Sequence, residues 1–244
     1  MASVPQPLSP PTPRPGFAFA AALAAGAAIA GAVLAAPAAA DGWRVLHWIG
    51  KPLATLLLFG LAWRTRWPLS WRYRRRVCAG LLCALAGDVL LMLPGDFFVP
   101  GLLAFLLGHL CFLAAWLDDS RLAVRPAALL ACLAAAALLV ALLWPGLAPA
   151  LRAPVIVYAA VLATMAGQAL GRAAWHAAQR DALAAPARWA ALGGLLFMAS
   201  DSLLAWDRFR APLPLAPLWI LGTYYPALWA IARSVARSAR TGDA

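Results

Sequence analysis

Over 244 residues the chain is 64% hydrophobic and only 12% charged, with a mean hydropathy of +0.79 and a formal net charge of +11. A soluble domain of this length needs far more polar surface to cover its core, and no stretch alternates in the manner of a barrel strand, so α-helices crossing a bilayer are the one class left. Cys78, Cys83, Cys111 and Cys132 form no C-x-x-C pair; they indicate neither a disulfide framework nor a zinc site and read as small apolar packing residues.

A helix needs roughly 20 apolar residues to cross a bilayer, and blocks of that size fall at 17–37, 45–63, 77–95, 98–117, 124–144, 153–172, 189–206 and 215–234. The expected fold is therefore an all-α polytopic integral membrane protein with eight transmembrane helices. Its parts would be a tail over 1–16, a membrane domain over 17–236 and a short C-terminal tail over 237–244.

Residues 1–16 hold six prolines and read as an extended, disordered tail. The first span ends in Pro37-Ala38-Ala39-Ala40-Asp41, which has the look of a signal-peptidase site. Its apolar stretch is longer than the usual signal core of roughly 7–15 residues, and only Arg14 precedes it, so the helix is read as retained; cleavage would leave seven spans. The second span carries His47 and Lys51, four apart on one face, and Pro52, which should kink it. An arginine-rich stretch follows, from Arg64 and Arg66 to the run Arg72–Arg76, suited to anionic headgroups rather than to nucleic acid. The third span contains Asp88 and the fourth His109. The sixth holds Tyr158, a Gly167-x-x-x-Gly171 pattern suited to close helix approach, and Gln168, read as packing. Ser200 and Asp201 lie in the seventh span; Tyr224, Tyr225 and a second kinking proline, Pro226, lie in the eighth. Pro94, Pro126, Pro154 and Pro186 fall near span ends, where proline is tolerated.

On this map 15 of the 19 arginines fall on the side of the two termini, the positive-inside pattern, so both termini are expected in the cytoplasm, as for a protein of a bacterial inner (plasma) membrane. Spans three and seven then run in the same direction. Gly87-Asp88-Val89-Leu90-Leu91 and Ser200-Asp201-Ser202-Leu203-Leu204 match, each followed one span later by a polar residue, His109 and Tyr224, which is compatible with a parallel four-plus-four repeat.

Ionisable groups in hydrocarbon are costly and mark functional sites by default. Lys51, Asp88, Tyr158, Asp201, His109 and Tyr224 come from six different spans and all lie roughly 8–17 Å from the non-cytoplasmic ends at 1.5 Å of rise per residue. Six polar side chains at one depth, two of them carboxyls, point to a site in the outer half of the bilayer.

Lys51-Pro52-Leu53, Gly87-Asp88-x-Leu90 and Phe98-x-x-Gly101-x-x-x-Phe105-x-x-Gly108-His109 occur in that order. They are followed by Gly193-Gly194-Leu195-Leu196-Phe197-Met198-x-Ser200-Asp201-Ser202-Leu203-Leu204-Ala205-Trp206 and by Tyr224-Tyr225. From about residue 45 to residue 234 the chain resembles the YhhN family of lysoplasmalogenases. It departs at Leu228, where the family usually has glutamine, and at Phe112, where it often has tyrosine, two changes that bear on substrate preference. The resemblance implies hydrolysis of the vinyl ether bond of a lysoplasmalogen, a lysophospholipid held in the bilayer, to a fatty aldehyde and a glycerophospho-alcohol without a cofactor.

That chemistry needs a carboxylic acid to protonate the β-carbon and a second carboxylate, held ionised by a cation, for the oxocarbenium ion and water. Asp88 and Asp201 are the expected acid–base pair. Lys51 and His109 would tune them or meet the lipid phosphate, and Tyr158, Tyr224, Tyr225 and Ser200 would orient groups or bind substrate. By analogy with glycosidases the two carboxyls should stand roughly 5–9.5 Å apart and line one cavity. Two other readings use the same residues: a non-catalytic lipid or small-molecule carrier, and a metal-dependent hydrolase with Asp88, His109 and Asp201 as ligands, although one histidine is a poor zinc set.

Overall fold

The computed structural model describes residues 15–35 and 41–237. The run before Asp41 that resembles a cleavage site, most of the proline-rich tail and the end of the C-terminal tail lie outside these residues. The described residues form eight α-helices: α1 (Pro15–Leu34), α2 (Asp41–Trp63), α3 (Trp71–Met92), α4 (Phe98–Trp116), α5 (Pro126–Leu143), α6 (Pro149–Gln179), α7 (Ala184–Phe209) and α8 (Ala216–Arg233). Six of them are long and apolar enough to cross a membrane by length and composition. The other two are α3, which opens on the arginine run, and α8, which carries Thr223, Tyr224, Tyr225 and Arg233.

Local signals set the helix ends. Ser70 caps α3, its Oγ accepting from Tyr73 N at 3.0 Å, and Pro126 and Pro149 open α5 and α6, where a missing N–H costs nothing. Pro52 and Pro226 lie inside α2 and α8 as expected. Pro154 also lies inside its helix rather than at an end, because α6 begins at Pro149.

The distribution of side chains is inverted relative to a water-soluble protein. Lys51, Thr55, Asp88, His109, Gln168, Arg172 and His176 are buried, while Leu56, Leu103, Leu130 and Leu138 are exposed. Such an exterior is stable against hydrocarbon, where polar groups must find partners inside the protein.

Sequential helices pack as neighbours within each half and across α6–α7, but α4 and α5 do not, and the remaining contacts close the bundle: α4 on α6, and α8 on α1, α2 and α3. The α4–α6 and α8–α2 pairings are equivalent under a four-plus-four division, so each half lays its last helix against the second helix of the other. Helix α5 is the outermost, resting on α6 and only lightly on α7. Gly167 allows the α5–α6 approach, since a Cβ there would stand 2.7 Å from Leu129 Cα.

Three expectations at the basic end need correction. The arginine run is not a loop but the first turns of α3. Arg72 and Arg76 both pair with Asp118, Arg76 also donates to Ala114 O, and Arg74 donates to the Trp63 and Thr65 carbonyls, while Arg75 stays exposed. Arg172, the last residue of the expected sixth span, does not end its helix. Helix α6 continues to Gln179, and the fully buried Arg172 makes two 2.6 Å bonds to the Asp119 carboxylate. At 31 residues α6 is roughly 46 Å long, more than the roughly 30 Å hydrocarbon core, so its last turns need not lie in lipid. Gln168 does more than pack: its side chain accepts from Ala123 N and donates to Ser120 Oγ and Arg121 O, fastening the α4–α5 connection.

Candidate functional site

Six helices deliver polar side chains to one layer. Counted from the helix ends on that side, Asp88 is about 6 Å deep on α3, Asp201 and Tyr224 about 12 Å on α7 and α8, Tyr158 about 14 Å on α6, and Lys51 and His109 about 15–17 Å on α2 and α4. The expected layer is present, and its contacts divide it in two.

The first cluster surrounds Asp88, which is 1% exposed. Its Oδ2 accepts from Thr55 Oγ1 at 2.7 Å and from the Tyr224 hydroxyl at 2.8 Å, and Oδ1 stands 3.4 Å from Lys51 Nζ. Three donors converge on this carboxyl, an arrangement suited to its ionised, acceptor-only form. Thr55 was not singled out from sequence. Its position one turn after Lys51 on the same face was the available signal.

The second cluster surrounds Asp201. The Tyr158 hydroxyl donates to Asp201 Oδ2 at 2.5 Å, His109 Nε2 lies 2.9 Å from that hydroxyl and 3.5 Å from the same carboxyl oxygen, and Oδ1 makes no hydrogen bond among the described residues. Because Tyr158 spends its one proton on Asp201, His109 must donate from Nε2. Its Nδ1 is buried and has no partner among the described residues, which suits the tautomer with a proton on Nε2. The result is a directed chain, His109 to Tyr158 to Asp201.

The two clusters obey one scheme. Each aspartate, on the third helix of its half, takes a hydroxyl from the second helix of its own half, Thr55 or Tyr158. Each also has a partner on the last helix of the opposite half: Asp88 bonds Tyr224, and Asp201 stands beside His109. The Phe197 ring lies between them, edge-on to both, 4.6 Å from His109 and 5.5 Å from Tyr224 between centroids. Phe105 packs against Phe197 and Tyr224, and only a glycine at 87 leaves room for it, since a Cβ there would meet the Phe105 ring at 2.5 Å.

Beside the second cluster an apolar cleft opens among α4, α5, α6 and α7, with about 760 Å³ of empty space counting its mouth. The part of it that a water-sized group can occupy is about 70 Å³, a narrow slot. Tyr158 and Asp201 line it together with Phe98, Phe105, Leu162 and Phe209. Asp88 does not. The expectation that both carboxyls line one cavity is therefore corrected: Asp201 faces the cleft, and Asp88 is enclosed by Lys51, Thr55 and Tyr224. Nor do Asp88, His109 and Asp201 converge as a ligand set; among the described residues no three histidine, cysteine or acidic side chains are placed to hold a metal ion.

Ser200 and Tyr225, also expected in the site, and His47 lie outside these two clusters. Ser200 Oγ donates to Ile220 O at 3.0 Å and ties α7 to α8, and His47 Nδ1 donates to Ala28 O at 2.9 Å and ties α2 to α1. Tyr225 is buried against Tyr224, its hydroxyl without a partner among the described residues. Leu228 and Phe112, the two departures from the family pattern, are fully buried, and neither lines the cleft.

Residues 46–235, which include every residue of both clusters, match the YhhN family. The chain belongs to the YhhN family. It is 35% identical over 191 residues to human "Lysoplasmalogenase TMEM86B", covering 77% of this chain and 74% of the relative. It is 32% identical over 216 residues to bovine "Lysoplasmalogenase TMEM86A", covering 84% of each. Over 146 residues it is 40% identical to a "Lysoplasmalogenase" of Mycobacterium tuberculosis, covering 57% of this chain and 51% of the relative. No solved structure matches. The family motifs thus fall on the two aspartate clusters and on the aromatic rings between them.

Proposed function

We propose that this YhhN protein is a membrane-embedded lysoplasmalogenase: it hydrolyses the vinyl ether bond of a lysoplasmalogen to a fatty aldehyde and a glycerophospho-alcohol, with Asp201 as the proton donor. The observation that carries this reading is the division of labour on one carboxyl. Oδ2 is held by Tyr158, while Oδ1 is left without a partner among the described residues, on a side chain that lines an apolar cleft. A protonated Oδ1 delivers its proton to the alkenyl β-carbon, which leaves an oxocarbenium ion between the α-carbon and the ether oxygen. The new carboxylate, still gripped at Oδ2, stabilises that cation and takes a proton from the water that adds to the α-carbon. The hemiacetal then breaks its bond to the glycerol oxygen, releasing aldehyde and alcohol. One carboxyl thus serves in turn as acid and base.

His109 and Tyr158 are positioning residues that fix the carboxyl's rotamer. Asp88 and Lys51 form a second support: they hold Tyr224, whose ring packs on Phe197, which in turn packs on His109. The proposed setting is the plasma membrane, with both termini cytoplasmic and the cleft in the outer leaflet.

The test is purified protein incubated with lysoplasmalogen and with a diacyl phospholipid control, reading released aldehyde before and after exhaustive chelation. Aldehyde from the vinyl ether lipid alone, undiminished by chelator, is expected. Tight lipid binding with no aldehyde would make the protein a carrier, and loss on chelation with recovery on adding zinc would require a metal.

A further inference from the structure

The sparsely charged end of the bundle poses a question that the Asp201 cluster does not answer. Few basic residues lie there, and one of them, Arg44, is accounted for by Asp41 at 3.9 Å. Arg208 is not. It is exposed on the last turn of α7 and has no carboxylate partner among the described residues; its neighbour Asp207 accepts instead from Leu213 N at 2.7 Å. The Arg208 guanidinium lies over the Phe98 ring, its Cζ 3.9 Å from the ring centroid and 6.0 Å from that of Phe209. Both rings line the cleft. Arg208 therefore sits at the rim of the cavity that Asp201 faces.

Its register on α7 is equally specific. Met198, Asp201, Ala205 and Phe209 line the cleft, and Arg208, seven residues after Asp201, falls on the same stripe two turns further out. The separation along the helix is roughly 10 Å. In a lysoplasmalogen the path from the alkenyl β-carbon runs through the α-carbon, the ether oxygen, the three glycerol carbons and the ester oxygen to phosphorus. Extended, that path spans roughly 8–9 Å at the ~1.2 Å per bond of a stretched chain. An acid that protonates the β-carbon and a cation that meets the phosphate need about this spacing.

On the reading of the preceding subsection, we infer that Arg208 is the headgroup subsite, binding the lysophospholipid phosphate at the cleft rim and so setting how deep the vinyl ether enters. Guanidinium presents paired N–H donors to phosphate oxygens, and its seat over the Phe98 ring restrains the side chain before substrate arrives. The subsite selects for a phosphate three glycerol carbons from the ether and is indifferent to the alcohol beyond it.

The experiment compares two substrates, a lysoplasmenylethanolamine and the 1-alkenylglycerol that lacks its phosphate, and reads the ratio of their kcat/KM values. In R208Q that ratio should fall roughly ten- to hundredfold, the worth of a charge-assisted hydrogen bond. R208K should fall between R208Q and wild type. Arg210→Gln removes an equal charge two residues on, off the lining stripe, and should keep the wild-type ratio. A wild-type ratio in R208Q, or an equal fall in R210Q, overturns the inference.

Because turnover itself rests on the proposed activity, binding is measured separately with the uncleavable probe 1-O-alkyl-lysophosphatidylethanolamine. Wild type should bind it more tightly than R208Q does, and millimolar inorganic phosphate should not displace it. Such binding without aldehyde release would defeat the hydrolase reading and sustain the subsite. Equal binding by wild type and R208Q, or displacement by phosphate alone, would defeat the subsite.

Discussion

The Tyr158 hydroxyl meets Asp201 Oδ2 at 2.5 Å with His109 Nε2 2.9 Å behind it, so one carboxyl oxygen is committed to the protein and the other is left to the cleft. Asp201→Asn keeps the shape and the bond from Tyr158 but removes the transferable proton. Aldehyde release from lysoplasmalogen should drop by roughly 10²–10⁴, the range of general acid catalysis, with detergent stability little changed. Tyr158→Phe leaves the acid in place and frees its rotamer, so a smaller loss of roughly tenfold in kcat is expected. Asp201→Asn turnover within a few-fold of wild type would remove Asp201 from the chemistry.

Asp88→Asn should behave differently. Lys51 and Asp88 are almost fully enclosed, and neutralising one partner strands the other charge, at a cost of about 3–5 kcal/mol. The variant should unfold in detergent well below wild type. Adding Lys51→Met removes the stranded charge while the asparagine carbonyl still accepts from Thr55 and Tyr224, and most of the stability should return. Thermal unfolding of the single and double variants decides it: a double variant no more stable than Asp88→Asn would show that the ion pair is not what holds α2 to α3.

The residues of the polar layer were legible in the sequence because charge in hydrocarbon has few explanations, and depth follows from residue counting at a fixed helical rise. Their division into two clusters was not legible. Counting gives distance along an axis and says nothing of rotation about it, so Asp88 and Asp201 looked like facing partners. The ring that separates them, Phe197, is indistinguishable from core in a leucine-rich span. Thr55 escaped notice because hydroxyls in such helices commonly satisfy themselves on the preceding turn; here Thr55 Oγ1 does approach Lys51 O, at 3.5 Å, but its shorter bond is to Asp88. The end of α6 was lost for a related reason. Arg172 and His176 lower the local hydropathy and read as the end of the span, and the Asp119 carboxylate that makes a buried Arg172 tolerable comes from another connection.

That pairing yields its own prediction. Arg172 is fully buried, and its Nη1 has no partner among the described residues, so Asp119 carries nearly all of its compensation. Asp119→Ala should cost about 3–5 kcal/mol of stability. The cluster lies roughly 21 Å along α6 from Tyr158, so protein that remains folded should keep a near wild-type KM for lysoplasmalogen. A raised KM at unchanged thermal stability would place this end of the bundle in substrate binding instead.

The depth of the site depends on which end of the bundle faces the cytoplasm, and the arginines argue that question. Three of the cations at the basic end, Arg74, Arg76 and Arg172, are tied to carbonyls or carboxylates of the protein. Orientation by the remaining charges then rests on exposed arginines such as Arg66 and Arg75, which anionic lipid and the membrane potential keep on the cytoplasmic side. A reporter fused after Ala244 should be active only as a cytoplasmic fusion, and a cysteine introduced at Pro212, between α7 and α8, should react with an impermeant thiol reagent in intact cells. Arg66→Glu with Arg75→Glu should lower the fraction of molecules in that orientation while leaving the pairs of Arg72 and Arg76 with Asp118 in place. Labelling of a C-terminal cysteine from outside intact wild-type cells would reverse the map, and would move Asp201 and the cleft to the inner leaflet.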